Sequence, residues 1–222
     1  MRYVVIDLEM NNISKKYKEE RKLCGMEIIE IGAVCMSEDF EECGSFRTYV
    51  KPQFNENVTG EIRKLTGIRM EMLQSAPDFI EAIRLFFDWC DRIGDDIEIY
   101  QWSENDYSQI MKEITLKHYT PTDHENEFLI GWNNFQRQYQ EYIGMDRDIS
   151  LTDALMYAGQ DFMGRQHDAL YDARNTAGLL AILKDSTKRE KYLSIVVEAL
   201  RPKKQGISLG EMIDLSMISV SA

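Results

Sequence analysis

Residues 1–12 read MRYVVIDLEMNN, and the fold turns on how this stretch is read. Tyr3-Val4-Val5-Ile6 is an apolar, β-branched run of the kind that forms a strand buried on both faces. Yet it leads straight into two acids, Asp7 and Glu9. Side chains alternate along a strand, so these acids share a face, roughly 7 Å apart along the backbone. Two carboxylates crowded at the end of a core strand repel each other unless something positive lies between them. In open α/β sheets, the carboxyl end of a strand is also where chemistry is placed.

The pattern on either side of this strand supports an α/β reading. Residues 2–8, 25–34 and 46–52 read as strands, the last ended by Pro52, and their short links predict an antiparallel meander. Residues 15–22 are charged and read as a loop or a short solvated helix. Residues 59–68 open on a threonine that can cap a helix. Residues 78–94 carry Phe79, Ile83, Phe86, Phe87 and Cys90 at helical spacing and stop at a glycine. Residues 96–102 alternate as a fourth strand and feed a helix that Ser103 can cap. Beyond Pro121 the pattern predicts a helix within 125–142, an extended piece near Ile149, and helices at 151–158, 166–184 and on to about Leu200. There is no internal repeat. The sum is one α/β domain over residues 1–200 with a mixed sheet. Residues 201–222 form a tail, basic at first, then small and apolar, whose composition fits a frayed end and a docking segment equally.

With 222 residues and 44% hydrophobic content, the chain can fill a sizeable core. Its 26 basic residues against 38 acidic ones give a net charge of −12. That argues against coating long nucleic acid, which runs on clustered cations, but not against gripping a few nucleotides through metal ions. No basic stretch precedes an apolar core at the start, and no run approaches the ~20 apolar residues of a membrane span. Cys24, Cys35, Cys43 and Cys90 show no paired spacing and no nearby histidines. A reducing, cytoplasmic setting is therefore expected, without zinc or a disulfide framework.

Two further acids lie at element junctions. Asp106 falls in the first turn after the fourth strand, and Asp172 lies five residues beyond His167. Hard cations such as Mg²⁺ or Mn²⁺ take oxygen ligands, and a two-metal site holds its ions ~4 Å apart. Four carboxylates around two dications leave no net charge, which would remove the repulsion between Asp7 and Glu9. Each residue also has a bland reading. Asp7 and Glu9 fit solvated positions where a strand emerges, and Ser103-x-x-Asp106 is close to a capping box. Asp172 fits plain surface charge, and His167 a histidine at a helix start. Singly these signals are weak.

Together they are not. The chain resembles the DnaQ-like 3′–5′ exonucleases of the DEDDh type, which have an RNase H-like fold. The resemblance covers about residues 1–185. It rests on VVIDLEM with Asp7 and Glu9, on IYQWSENDYSQI with Asp106, and on HDALYDARNTAGLL with His167 and Asp172. EIIEIGAV, YVKP and LTGI (Leu65, Thr66, Gly67, Ile68) also fall where the family has them. Trp102 and LTGI are most similar to the Eri-like branch, and the DLEM opening is similar to oligoribonuclease. Met10 and Asn11 stand where many relatives begin with a threonine, and Ser103 where the Eri-like branch has glycine. These departures bear on substrate preference.

The resemblance implies an RNase H-like, mixed five-stranded sheet flanked by helices and a metal-dependent exonuclease. Asp7, Glu9, Asp106 and Asp172 would hold two Mg²⁺ or Mn²⁺ ions, with His167 as general base. Met10, Asn11 and Leu65, Thr66, Gly67 and Ile68 would border the terminal nucleotide. Substrates would be 3′ ends of single-stranded RNA or DNA, short strands above long ones, released as nucleoside 5′-monophosphates. Lys15, Lys16, Lys18, Arg21 and Lys22 follow the site and are placed to touch phosphates, although Glu19 and Glu20 among them favour a solvated loop. Two rival readings are a catalytically silent binding module and a proofreading subunit beside a polymerase. A homodimer or a protein partner held through the tail is compatible with either.

Overall fold

The computed structural model describes residues 1–94 and 96–200, and expectations for the tail at 201–222 lie outside them. The opening stretch forms β1 (Arg2–Asn12), the middle strand of a mixed sheet ordered β3-β2-β1-β4-β5. It pairs antiparallel with β2 (Met26–Met36), which pairs antiparallel with β3 (Glu42–Tyr49), the expected meander. On its other side β1 runs parallel to β4 (Ile97–Gln101), which is parallel to β5 (Asn133–Asn134). The β1–β2 link carries α1 (Glu20–Leu23), within the charged segment. The β3–β4 link carries α2 (Gly60–Thr66), α3 (Met70–Leu73) and α4 (Phe79–Ile93). Between β4 and β5 lie α5 (Asn105–Leu116) and α6 (Asp123–Glu127). After β5 come α7 (Phe135–Ile143), α8 (Leu151–Tyr157), α9 (Ala169–Lys184) and α10 (Ser186–Leu200).

The alternation of β1 decides which way its acids face. Val4, Ile6 and Leu8 pack with Phe79, Ile83 and Phe86 of α4. Val5 belongs instead to the opposite core, with Ala173, Ala177 and Leu180 of α9 and Phe135 and Tyr139 of α7. Both layers are desolvated, and each large apolar side chain buried there stabilises the fold by ~2 kcal/mol. Asp7 and Glu9 keep step with Val5 and therefore stand on the side of α9. α4 forms as predicted, with Asp78 accepting from the Glu81 N–H at 2.9 Å and Gly94 ending it.

Gly32 sets how close α9 can come. It sits opposite Asp7 in the β1–β2 ladder. A Cβ on it would lie 2.3 Å from the backbone nitrogen of Leu170 and 2.4 Å from the carbonyl carbon of Ala169. Only a glycine lets the first turn of α9 press backbone to backbone on the sheet beside Asp7. Gly32→Ala is therefore expected to lower stability by at least ~2 kcal/mol and to push α9 away from β1. Urea unfolding checks the first effect; a wild-type midpoint would show that the close approach is not needed.

Two local expectations need correction. The piece near Ile149 is extended as expected, buried beside α7 and α8 with its carbonyl accepting from Gln136 at 2.8 Å, but it joins no strand. The fifth strand is Asn133–Asn134, inside a segment predicted as helix. Two asparagines are too short for any periodicity, and Asn134 at once caps α7 through the Arg137 N–H at 3.0 Å. The late helix begins at Ala169, not at Gln166, because Asp168 is its cap.

Candidate active site

The four acids converge from three elements. Asp7 and Glu9 come from β1, Asp106 from the first turn of α5, and Asp172 from the first turn of α9. Side-chain ligand atoms of Glu9, His167 and Asp172 all lie within 4.8 Å of one another. Asp106 is buried and does not serve a capping box with Ser103. The cap residue is Glu104, and Gln101 at the end of β4 takes the Tyr107 N–H at 2.8 Å. That frees the Asp106 carboxylate to face β1, where the Leu8 backbone amide stabilises its charge.

Metal-free, these acids hold protons far more tightly than ordinary carboxylates. Burial, then Asp172, Glu30 and Asp106, push Glu9 up to about 8. Burial raises Asp106 to about 7 against the help of the Leu8 amide, and Asp172 adds repulsion. Burial raises Asp172 to about 7, partly offset by the His167 backbone amide. Asp7 is held well above the usual range by burial and by Asp106, Asp172, Glu9 and Glu30. One oxygen of Asp172, Oδ1, is buried with no hydrogen-bond partner. A donor set dominated by carboxylate oxygens, mutual repulsion and an orphaned buried oxygen fit a hard divalent cation.

His167 is set by a frame that sequence reasoning missed. It lies outside α9, in the left-handed backbone region at φ 59°, where histidine is tolerated better than most residues. Its neighbour Asp168 caps α9 by accepting the Tyr171 N–H. Arg47 of β3 donates to Asp168 at 2.9 Å and to buried Glu30 at 2.7 Å. The other oxygen of Glu30 accepts the Ala169 N–H at 3.3 Å. Arg47 thus ties β2 and β3 to the turn carrying His167. A buried glutamate within EIIEIGAV was the available signal, since a charge at such a position needs a partner.

The residues expected to border the terminal nucleotide divide. Met10 is half-buried and Leu65 exposed. Thr66 is spent inside α2, donating to the Ile62 carbonyl at 2.9 Å and accepting the Ile68 N–H at 3.0 Å, and Ile68 is buried. Gly67 ends α2 at φ 73°. Arg165 lies so close over it that a Cβ would fall 2.0 Å from the guanidinium, and Arg165 donates to the Leu65 carbonyl at 2.9 Å. The LTGI segment and the His167 loop are thereby latched together. Asn11 is fully buried, its amide donating to the Asn57 carbonyl at 3.2 Å and accepting the Thr59 N–H at 3.0 Å. It holds the wall in place and offers no surface to a ligand.

A mixed five-stranded sheet with flanking helices, and acids gathered from its middle strand and two helix starts, defines an RNase H-like exonuclease architecture. The chain belongs to the exonuclease family: the RNase T family model matches residues 4–180. It is similar to the nuclease domain of 3′hExo, a DEDDh family member whose structure was determined with rAMP bound. The two share a TM-score of 0.73 and 23% identity over 84% of this chain and 94% of that one. Human 3′-5′ exoribonuclease 1 is 26% identical over 160 residues, 68% of this chain. The PolC-type DNA polymerase III of Bacillus subtilis (strain 168) is 29% identical over 196 residues, 84% of this chain. The chain spans 44% of the length of the human protein and 12% of the bacterial one.

Proposed function

We propose that this chain is a metal-dependent 3′–5′ exonuclease that releases nucleoside 5′-monophosphates from single-stranded 3′ ends. The observation that carries the reading is the convergence of Asp7, Glu9, Asp106 and Asp172 beside His167. The exoribonuclease relatives favour RNA as the substrate over DNA. Among the described residues no helix is long and apolar enough to cross a membrane, and a cytoplasmic setting goes with this reading.

The four acids would hold Mg²⁺ or Mn²⁺, two ions by the charge count, which when bound polarise the scissile phosphate and acidify a water. Asp7, which feels the charges of Asp106, Asp172 and Glu9, would be among the carboxylates holding the metal. Asp172 would contribute its orphaned Oδ1. His167, exposed at the rim, would accept the attacking water's proton on a ring nitrogen. The Arg47–Asp168 contact would keep that ring aimed as the proton moves. Met10 and Leu65, the parts of this wall left accessible, would border a free 3′ terminus.

His167→Ala is expected to lower turnover near neutral pH by ~10²-fold or more while leaving metal affinity within a few-fold. Calorimetric titration with Mn²⁺ beside a turnover assay separates two roles. If affinity collapses together with turnover, His167 is a ligand and not the base. Chromatography of the products tests which bond is broken, since 3′-monophosphates would mean cleavage on the 5′-oxygen side of the phosphate and overturn the proposed reaction.

A further inference from the structure

Past the acidic cluster, the chain folds around a cavity of about 510 Å³ that the exonuclease reading leaves unused. Asn12, Ser14, Lys15, Lys16, Arg21 and Asn57 are among the residues that line it. Several of its polar side chains are uncommitted, although Asn55 donates to Glu27 and Thr59 caps α2. Among the described residues Lys15 makes no ion pair or hydrogen bond, and the side chains of Asn12 and Ser14 have no partner either. Arg21 spends one nitrogen on the Ile13 carbonyl at 2.8 Å. Lys16 is paired with Glu56, both ends exposed, a contact that solvent and a stronger anion readily replace. Glu61 is the other acid of the lining. Three cations against two acids make this a locally basic cavity on a chain of net charge −12.

Its position gives it a use. Asn12 follows Glu9 by three residues on the same strand, so the cavity opens roughly 10 Å beyond the acids. Asn57 and Thr59 of the lining are tied to β1 through Asn11. The same anchor fixes the start of α2, whose end carries LTGI. Hydrogen bonds from Asn11 and the short α2 thus connect the cavity lining to both β1 and the LTGI segment. Carboxylates with metal can accommodate the phosphate being cut, whereas phosphates further along a strand are met by protein cations and by polar side chains or backbone amides.

We infer that this cavity is a second subsite on the same strand, resting on the exonuclease reading above. It takes the sugar-phosphate backbone of nucleotides beyond the one at the acids, with Lys15 and Arg21 meeting phosphate. Asn12 and Ser14 meet sugar or base edges. Lys16 leaves Glu56 when a strand enters. The subsite makes catalytic efficiency depend on length, since the shortest substrates do not reach it.

The test is kcat/KM on 5′-labelled RNA from dinucleotide to octanucleotide, for wild type, Lys15→Ala and the double variant Lys15→Glu, Lys16→Glu. On octanucleotides the double variant is expected to lose about tenfold, mostly through KM, and on dinucleotides less than about twofold. The slope of log(kcat/KM) against log salt should fall by ~0.7 for each phosphate contact removed. Lys15→Ala, which reverses no charge, should show the same ordering with a smaller loss. Equal losses at every length, or none at any length, overturn the subsite. Anisotropy of a labelled octanucleotide, read alongside, keeps two failures apart. A wild-type chain that binds strands but cuts none refutes the exonuclease reading alone. One that cuts with a length-independent response to these variants refutes the subsite alone.

Discussion

Asp7→Asn is expected to reduce turnover on the order of 10³-fold or more, with the fold intact. Asparagine keeps the shape of the side chain, so neither the β1–β2 ladder nor the seat of α9 on Gly32 is disturbed. What goes is one negative charge at the point where Asp106, Asp172 and Glu9 crowd together. A neutral amide is a poor ligand for a hard dication, so the loss falls on metal affinity as well as on turnover. The same substitution removes a repelling group from the metal-free protein. In chelator its Tm should therefore match or exceed that of wild type, while in Mg²⁺ wild type should be the more stable. Retention of full activity would remove Asp7 from the chemistry.

The second large effect is a stability that falls with pH unless metal is present. Glu9 sits at about 8, Asp106 and Asp172 at about 7, and Asp7 is also raised. Each folded value lies above its unfolded one, near ~4, so the folded state binds the proton more tightly. The sign is fixed by that. In chelator these groups favour the fold below about pH 4, and the advantage is lost as pH rises toward about 8. A tenfold difference in proton affinity between folded and unfolded chain corresponds to ~1.4 kcal/mol. Because the four acids interact, the joint change is on the order of 5 kcal/mol. For a chain of this size that is a drop in Tm of about 10 °C or more between pH 5 and pH 8. Metal competes with those protons, so saturating Mg²⁺ or Mn²⁺ should flatten the curve and restore ~3 kcal/mol at roughly a hundredfold excess over Kd. A Tm in chelator that stays level across this range would mean the carboxylates are solvated and apart.

Much of this was legible in the sequence because strong periodicity and dense motifs carried it. The apolar run before Asp7 could only be a core strand, and the meander followed from short links between strand patterns. His167 and Asp172 stood out through the spacing of HDALYDARNTAGLL, although not the cap at Asp168 that puts His167 in a left-handed turn. The Ser103 signal was partly right: Ser103 accepts the Asn105 N–H at 3.4 Å, but Asp106 completes no capping box with it, and Gln101 takes the Tyr107 N–H from outside the helix. β5 was hidden because two residues make no pattern. Asn11 was expected at the substrate only because the family resemblance implies it. A bulge after Glu9 shifts the register there, and the Asn11 amide turns inward to hold the loop at Asn57 and Thr59. The Glu30–Arg47–Asp168 frame joins residues far apart in sequence, and no local rule connects them.

If the acids and His167 work as proposed, a strand must shorten from one end, and only with metal. The direct measurement uses 5′-labelled single-stranded RNA with Mg²⁺, with Mn²⁺ and with chelator, wild type beside Asp7→Asn. The expected result is a ladder that shortens from the 3′ end in either metal, is absent in chelator and is absent in the variant. Strands left whole by a wild-type chain that still binds Mn²⁺, or a ladder unaffected by Asp7→Asn, would contradict it.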